Sequence, residues 1–262
     1  MEINKKLGIA MNEQQYADHW EQSSHQHKEG GIYHQLSESI KEAKSVLEIG
    51  CGTGYGTLVL GSDTNRRLVS VDCSPIMLNL TYDRLQKNSL SVSKLPANNG
   101  LNHENNHSIS LIEKNILDDD TIKAFGNEQF DAIVCWMIGA HPSVISAAVD
   151  KNWQHFDGTE VTQYRERIHK RCYELGDTLL NSGGFVHIVD RAGISSWGDK
   201  DHFRSQHATT HNTLSSCNYV VKEQDVWIIR HSPAKSGVPV GSIDPRIAST
   251  IPVLISVLAR KK

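Results

Sequence analysis

Residues 46–56 read VLEIGCGTGYG and constrain the fold of this chain more than any other segment. A short apolar run contains the acidic residue Glu48, and glycines then stand at every second position from Gly50 to Gly56. This pattern is typical of a buried strand that turns sharply into a helix where a nucleotide-like ligand lies against the backbone. Glycine is needed there because a Cβ would block the positive φ angles or the close approach of the ligand.

The spacing of these glycines decides between ligands. The dinucleotide fingerprint is G-x-G-x-x-G, and its third glycine would fall on Tyr55 or on Thr57, depending on whether Gly50 or Gly52 starts it. Both frames fail, which disfavours a nicotinamide-dependent oxidoreductase. The motif present is E-x-G-x-G-x-G, and VLEIGCGTG resembles the signature of the class I, Rossmann-like, S-adenosylmethionine-dependent methyltransferases.

A second motif follows about one strand–helix–strand unit downstream. The apolar run LVSVD, residues 68–72, ends in Asp72, where such folds place the acid that accepts hydrogen bonds from the ribose hydroxyls. Ser74 and Pro75 then predict a helix cap and a first helical residue, so capping does not explain Asp72. The predicted helix runs to about Leu85 and matches the family's D-x-S-x-x-M-L stretch.

Further segments resemble the later strands of this family. Residues 109–115 predict a strand whose end carries Asn115 where the family has an aspartate facing the adenine; an amide oxygen can also accept that hydrogen bond. Residues 130–136 resemble the fourth strand, whose end borders the methyl group, and residues 179–189 resemble the turn into the fifth strand. The resemblance implies these cofactor-binding residues: Glu48, Gly50, Cys51, Gly52, Thr53, Gly54, Asp72, Cys73, Met77, Asn115, Ile116 and Trp136.

The alternation of strand-like and helix-like patterns predicts an α/β fold. The resemblance implies a doubly wound, Rossmann-like sheet of seven strands, mostly parallel with an antiparallel C-terminal strand, and helices on both faces. Two late β segments, residues 220–229 and 252–259, would form the antiparallel part, with a linker at 232–244 between them. The Asn- and Ser-rich residues 89–108 predict an exposed insertion loop.

The N-terminal region predicts helices over about residues 12–43 and is dense in aromatic and histidine side chains. In the resembled enzymes such helices often close over cofactor and substrate. We therefore expect residues 1–44 to form a lid on a methyltransferase domain at 45–262. Tyr16, Trp20 and Tyr33 are the candidate lid and substrate contacts, although a helix simply docked on the sheet would explain each of them equally well.

Composition limits the classes of protein to which the chain could belong. No segment approaches the roughly eighteen consecutive apolar residues of a membrane span, and the polar N-terminus lacks the apolar core of a signal peptide. Five scattered cysteines do not form a disulfide framework and suit a reducing cytoplasm. A net charge of −3 disfavours bulk nucleic acid as the substrate, because phosphate contacts dominate its affinity.

Two histidine pairs raise a metal hypothesis, and we predict no metal site. His103 and His107 match H-E-x-x-H, but the motif lies in an Asn-rich stretch without an apolar face to bury. His207 and His211 stand four residues apart on a predicted helix, where two surface histidines on a polar helix are the expected arrangement.

The resemblance implies a cofactor, S-adenosylmethionine, that carries a methyl group on a positively charged sulfur and becomes S-adenosylhomocysteine. The enzyme would align a nucleophile for in-line displacement, and a general base is needed only where the acceptor is protonated. His141 is the best-placed base; a helix-capping or core histidine is an equally good interpretation. A small-molecule acceptor is favoured, mainly by elimination. Methylation of protein or RNA, and binding of the cofactor without turnover, stay open.

Overall fold

A central sheet organises the chain in the computed structural model, which describes residues 11–95, 108–216, 218–231 and 250–262. Within those ranges the sheet has nine strands. Their bounds are β1 Ser45–Ile49, β2 Arg67–Asp72, β3 Val92–Leu95, β4 Ile109–Glu113, β5 Phe130–Trp136, β6 Leu180–Ile194, β7 Tyr219–Val220, β8 Val226–Arg230 and β9 Ile251–Lys261.

The strand order is β3-β4-β2-β1-β5-β6-β9-β7, and β8 also pairs with β9. The first six strands along this path are parallel, whereas β9 is antiparallel to β6, β7 and β8. This confirms the doubly wound, mostly parallel sheet with an antiparallel C-terminal part. The count exceeds the expected seven because β3 forms inside the predicted insertion loop and a 3₁₀ turn, Glu223–Asp225, divides residues 220–229 into β7 and β8.

Seven helices flank the sheet in the described residues. They are α1 Glu13–Glu29, α2 Ile32–Glu38, α3 Tyr55–Gly61, α4 Pro75–Lys87, α5 Pro142–Val149, α6 Thr159–Leu179 and α7 Lys200–Leu214. The predicted cap forms at the start of α4, where the Ser74 hydroxyl accepts from the Met77 amide. At the start of α1, Asn12 and Gln15 make a reciprocal capping box. None of these helices is long and apolar enough to cross a bilayer.

Alternate residues of the central strands build two cores, one on each face of the sheet, because successive side chains point to opposite sides. Leu47 of β1 packs in the core that α6 covers, which also contains Tyr173. Val46, its neighbour, packs in the core that α2 covers, together with Leu36 and Trp136. Both faces are buried, which explains why these strands are continuous apolar runs.

The parallel register brings the strand ends that carry the glycine motif and Asp72 to one edge of the sheet. Ile49 at the end of β1 lies opposite Val71 of β2, and Trp136 at the end of β5 lies opposite Val189 of β6. Ligands of open α/β sheets bind outside these carboxyl ends. The direction in which successive strands are added to the sheet reverses between β1 and β5. The connections leave these two strands on opposite sides, so a crevice forms between them.

Candidate active site

The loop between β1 and α3 uses its glycines for different reasons. Gly50, Gly52 and Gly54 all have positive φ, at +78°, +52° and +83°. A Cβ on Gly50 would collide with the side chain of Ile138, and one on Gly54 would lie 2.8 Å from the Thr81 backbone. A Cβ on Gly52 would meet no protein atom within 4 Å. Packing therefore requires two of the glycines, and the third borders open space that a ligand can fill.

Asp72 braces this loop from the end of β2. Its Oδ2 accepts a hydrogen bond from the Gly52 amide at 2.9 Å, and its Oδ1 accepts one from the Ser74 amide at 2.9 Å. Burial raises the pKa of Asp72 to about 6, against these amide donors, which lower it. The carboxylate keeps free lone pairs, so it can also accept from a ligand hydroxyl.

Glu48 lies beneath the loop and is buried. Its Oε2 accepts from the hydroxyls of Ser70 and Thr57 at 2.6 and 2.7 Å. Burial raises the pKa of this carboxyl to about 7, and the two hydroxyl donors oppose that rise. The side chain is thus fixed by two neighbouring elements, β2 and α3.

A cavity of about 110 Å³ opens at this edge of the sheet. The Thr53 hydroxyl, in its wall, is buried without a hydrogen-bond partner among the described residues. An orphaned hydroxyl beside the open space at Gly52 fits a ligand that carries polar groups along the loop.

The lining of the cavity includes ten of the twelve predicted cofactor residues: Glu48, Gly50, Cys51, Gly52, Thr53, Gly54, Asp72, Cys73, Met77 and Trp136.

The other two predicted cofactor residues, Asn115 and Ile116, do not line the cavity. The Asn115 side chain turns back onto its own loop, where Oδ1 accepts from the Leu117 amide at 3.1 Å. Ile116 is buried in the core that α6 covers, and its carbonyl accepts from Arg171 Nε at 2.9 Å. A local Asx turn engages the Asn115 oxygen that the family resemblance places against the adenine, and Ile116 lies in the core.

The predicted lid residues lie together over the cavity. Tyr16 and Trp20 of α1 and Tyr33 of α2 all line it. The Trp20 ring packs so closely on Gly139, in the loop after β5, that a Cβ there would collide with it. The Tyr16 and Trp20 rings meet edge to face with centroids 6.2 Å apart. Aromatic side chains from the N-terminal helices therefore form one wall of the site.

Polar side chains also link α1 to the glycine loop, and no motif in the sequence indicates this link. Arg84 of α4 donates to both carboxylate oxygens of Glu21 on α1, at 2.6 and 2.8 Å, and to the Thr53 carbonyl at 2.8 Å. Its guanidinium stacks 3.5 Å from the centre of the Tyr55 ring, and the Tyr55 hydroxyl donates to Glu21 at 2.9 Å. We call Glu21, Tyr55 and Arg84 the lid latch.

His141 lines the cavity and caps α5, which begins at Pro142. Its Nδ1 accepts from the Ser143 amide at 3.3 Å and lies 2.7 Å from the Ser143 hydroxyl. Its Nε2 lies 2.9 Å from the carbonyl oxygen of Met11, which can only accept. The ring is therefore the neutral tautomer protonated at Nε2, and neither nitrogen has a free lone pair.

The histidines of α7 differ from the expected surface pair. His211 is buried and its Nδ1 lies 2.7 Å from the Tyr173 hydroxyl; His207 is half-buried. The prediction of a surface pair is wrong because α7 packs its histidine face on α6 rather than presenting it to solvent. Within the described ranges no group of three or more His, Cys, Asp or Glu side chains could hold a metal ion. His103 and His107 lie outside those ranges.

Known proteins share this fold. A comparison with curated proteins finds no match. Among solved structures, TrmN from Thermus thermophilus is 10% identical, with a TM-score of 0.51 over 88% of this chain and 48% of that one. A candidate sarcosine dimethylglycine methyltransferase from Galdieria sulphuraria is 11% identical, with a TM-score of 0.50 over 88% and 85%. The N-methyltransferase NodS from Bradyrhizobium japonicum, in complex with S-adenosylhomocysteine, is 16% identical, with a TM-score of 0.47 over 89% and 87%.

A family model supplies the assignment. The model described as a methyltransferase domain matches residues 19–151, just over half of the chain. This match contains the glycine loop, Asp72, the lid latch and the end of β5. The chain therefore belongs to the methyltransferase domain family, and it is a class I, Rossmann-like enzyme whose cofactor is S-adenosylmethionine.

Proposed function

We propose that this enzyme transfers the methyl group of S-adenosylmethionine to a nucleophilic atom of a small molecule. The observation that carries the proposal is the aromatic wall over the cavity, in which Tyr16, Trp20 and Tyr33 close the space above the glycine loop. A cavity roofed in this way suits a small acceptor, whereas a protein or an RNA needs an open approach. In this proposal residues 1–44 act as the lid of a domain at 45–262.

The cradle for the cofactor is the loop from Gly50 to Gly54 together with Asp72. The open space at Gly52 admits a ligand against the backbone, and the Thr53 hydroxyl offers a free donor. Asp72 would accept hydrogen bonds from the ribose hydroxyls, and Trp136 would pack near the reacting end. When bound, the cofactor supplies a methyl group on a positively charged sulfur.

The residues of the aromatic wall would position the acceptor and exclude water from the cavity. Burial raises the pKa of Tyr33 to about 12 and that of Tyr16 further, so both phenols stay protonated and act as hydrogen-bond donors rather than bases. His141 can accept a proton only at Nδ1, after the contacts of Ser143 with that nitrogen break. The site as built favours in-line displacement by an acceptor atom that already has a free lone pair.

A cytoplasmic location is part of the same proposal. Cys51, Cys73, Cys135 and Cys172 are all free thiols in the described residues, and three of them are buried. Free thiols in the core suit a reducing compartment.

The test is transfer of a deuterated methyl group from labelled S-adenosylmethionine into a cell extract that is separated afterwards into metabolites, protein and RNA. We expect label in the metabolite fraction with the wild-type enzyme and a large loss with Asp72→Ala. Label in protein or RNA would favour the alternative acceptor classes. Binding of S-adenosylhomocysteine without label in any fraction would indicate a binding protein that does not turn over.

A further inference from the structure

A chain of three buried side chains links the cavity wall to the interior of the sheet. Trp136, at the end of β5, lines the cavity. Its indole Nε1 donates to Nδ1 of His187 on β6 at 3.1 Å, and Nε2 of His187 lies 2.7 Å from the hydroxyl oxygen of Ser256 on β9. All three residues are buried. The chain of hydrogen bonds therefore crosses three neighbouring strands, β5, β6 and β9.

The register of these strands explains why the side chains meet. Trp136 and Ser256 both pair with Val189 of β6, one from each side, and His187 stands two residues earlier on that strand. All four side chains therefore lie on the same face of the sheet. Diagonal neighbours on one face are about 7–8 Å apart, within reach of aromatic side chains. His187 is diagonal to both of its partners, so its ring can bridge them.

Elementary chemistry fixes the direction of both hydrogen bonds in the chain. An indole N–H can only donate, so Nδ1 of His187 accepts and carries no proton. Burial lowers the pKa of His187 to about 3, so its ring is neutral at pH 7 and its one proton is on Nε2. Nε2 therefore donates to the Ser256 hydroxyl. Both ring nitrogens are used, and the only polar atom of the Trp136 side chain is bound to the sheet.

We propose that His187 is a positioning residue of the active site, which holds the Trp136 indole in one orientation at the cavity wall and keeps its N–H away from the substrates. A tryptophan side chain has no other polar atom, so in this orientation it can present only carbon to the cavity. Without an acceptor at residue 187, the buried N–H would be unsatisfied, and the ring would gain free energy by turning toward water or a ligand. The inference rests on the proposed function, because it gives Trp136 its role beside the reacting end of the cofactor.

Calorimetry with S-adenosylhomocysteine tests the proposal in the wild type, His187→Phe and His187→Asn. Phenylalanine keeps a ring but removes the acceptor, and we expect the Kd to rise roughly three- to tenfold, the effect of losing one ordinary hydrogen bond. Asparagine places Oδ1 near the position of Nδ1, so it should restore most of the affinity. His211→Phe is the matched control, because it removes a buried histidine that contacts Tyr173 in the core on the other face of the sheet. Its Kd should equal that of the wild type.

A double-mutant cycle separates positioning from general support of the core. If His187 acts through the indole N–H, His187→Phe should have no further effect on the Kd once Trp136→Phe has removed that donor. The proposal is overturned if the effects of the two substitutions on the Kd multiply. A loss of affinity in His187→Phe that asparagine does not restore would overturn it too, since His187 would then merely fill space.

A nuclear magnetic resonance measurement on the wild type guards against a variant that fails to fold. The nitrogen chemical shift of His187 Nδ1 should be that of an unprotonated ring nitrogen, with and without S-adenosylhomocysteine. The Trp136 indole N–H should exchange slowly with solvent in both states. A proton on Nδ1, or fast exchange of the indole N–H in either state, would overturn the proposal. Failure of the wild type to bind S-adenosylhomocysteine would instead contradict the proposed function, and the spectrum of the free protein would still report on His187.

Discussion

Single residues at the carboxyl end of β1 have separable tasks. Gly50 and Gly54 are fixed by packing against Ile138 and Thr81, whereas Gly52 leaves room for a ligand. Asp72 holds the Gly52 amide and still has lone pairs to offer. The sequence motif predicts glycine at these positions, but which of them packing requires depends on Ile138 and Thr81, which lie outside the motif. Arg84 acts through partners distant in sequence, and no local pattern could indicate it.

The raised pKa of Asp72 predicts a pH-dependent affinity. The ribose hydroxyls donate to the carboxylate, so ligand binding favours its ionised form and the affinity for S-adenosylhomocysteine falls as the pH drops through about 6. One pH unit below that value we expect roughly tenfold weaker binding. Calorimetry between pH 5 and 8 measures the profile. Asp72→Asn should bind weakly with a flat profile; an equal slope in both proteins would show that another group titrates.

At the scale of elements, the position of α1 explains how a polar helix with few apolar residues stays docked. It begins with a capping box, lays Tyr16 and Trp20 over the cavity, and is tied to α4 by the lid latch. The sequence predicted the helix and its aromatic side chains. It could not predict which residues of α4 meet α1, because the pairing depends on how α4 crosses the sheet. The Asn- and Ser-rich composition of residues 89–108 predicts a loop and hides β3, whose pairing with β4 is set by tertiary contacts.

The lid latch predicts slower ligand release than an unlatched helix would give. Glu21→Gln removes the ion pair with Arg84 and should raise the dissociation rate of S-adenosylhomocysteine roughly three- to tenfold, since the pair is partly exposed and screened. Stopped-flow displacement measures this rate. Glu38→Gln is the matched control, because it breaks the exposed pair of Glu38, the last residue of α2, with Lys41, outside the latch. Identical dissociation rates in the two variants would show that the latch does not control ligand release.

At the scale of the whole molecule, the fold brings distant segments to one edge. The loop after β1, the acid at the end of β2 and the aromatic end of β5 meet because parallel strands end on the same side. The family resemblance implied this doubly wound, mostly parallel sheet. The sequence does not give the extent of the antiparallel part, because β9 pairs with three strands and its pairings reach from Arg260 back to Phe185.

The central claim is that the space beside Gly52 is the cofactor site. The most direct measurement is calorimetric titration of wild type, Gly52→Ala and Gly183→Ala with S-adenosylhomocysteine and with NADH. Both variants place a Cβ at a positive φ with no protein atom within 4 Å, but only Gly52 lines the cavity.

We predict that the wild type and Gly183→Ala bind one equivalent of S-adenosylhomocysteine with similar affinity and do not bind NADH. Gly52→Ala should lose at least about tenfold in affinity, because its methyl group occupies the space that the ligand needs. Equal affinity in all three proteins, or a preference for NADH, would contradict the assignment of this loop to the cofactor.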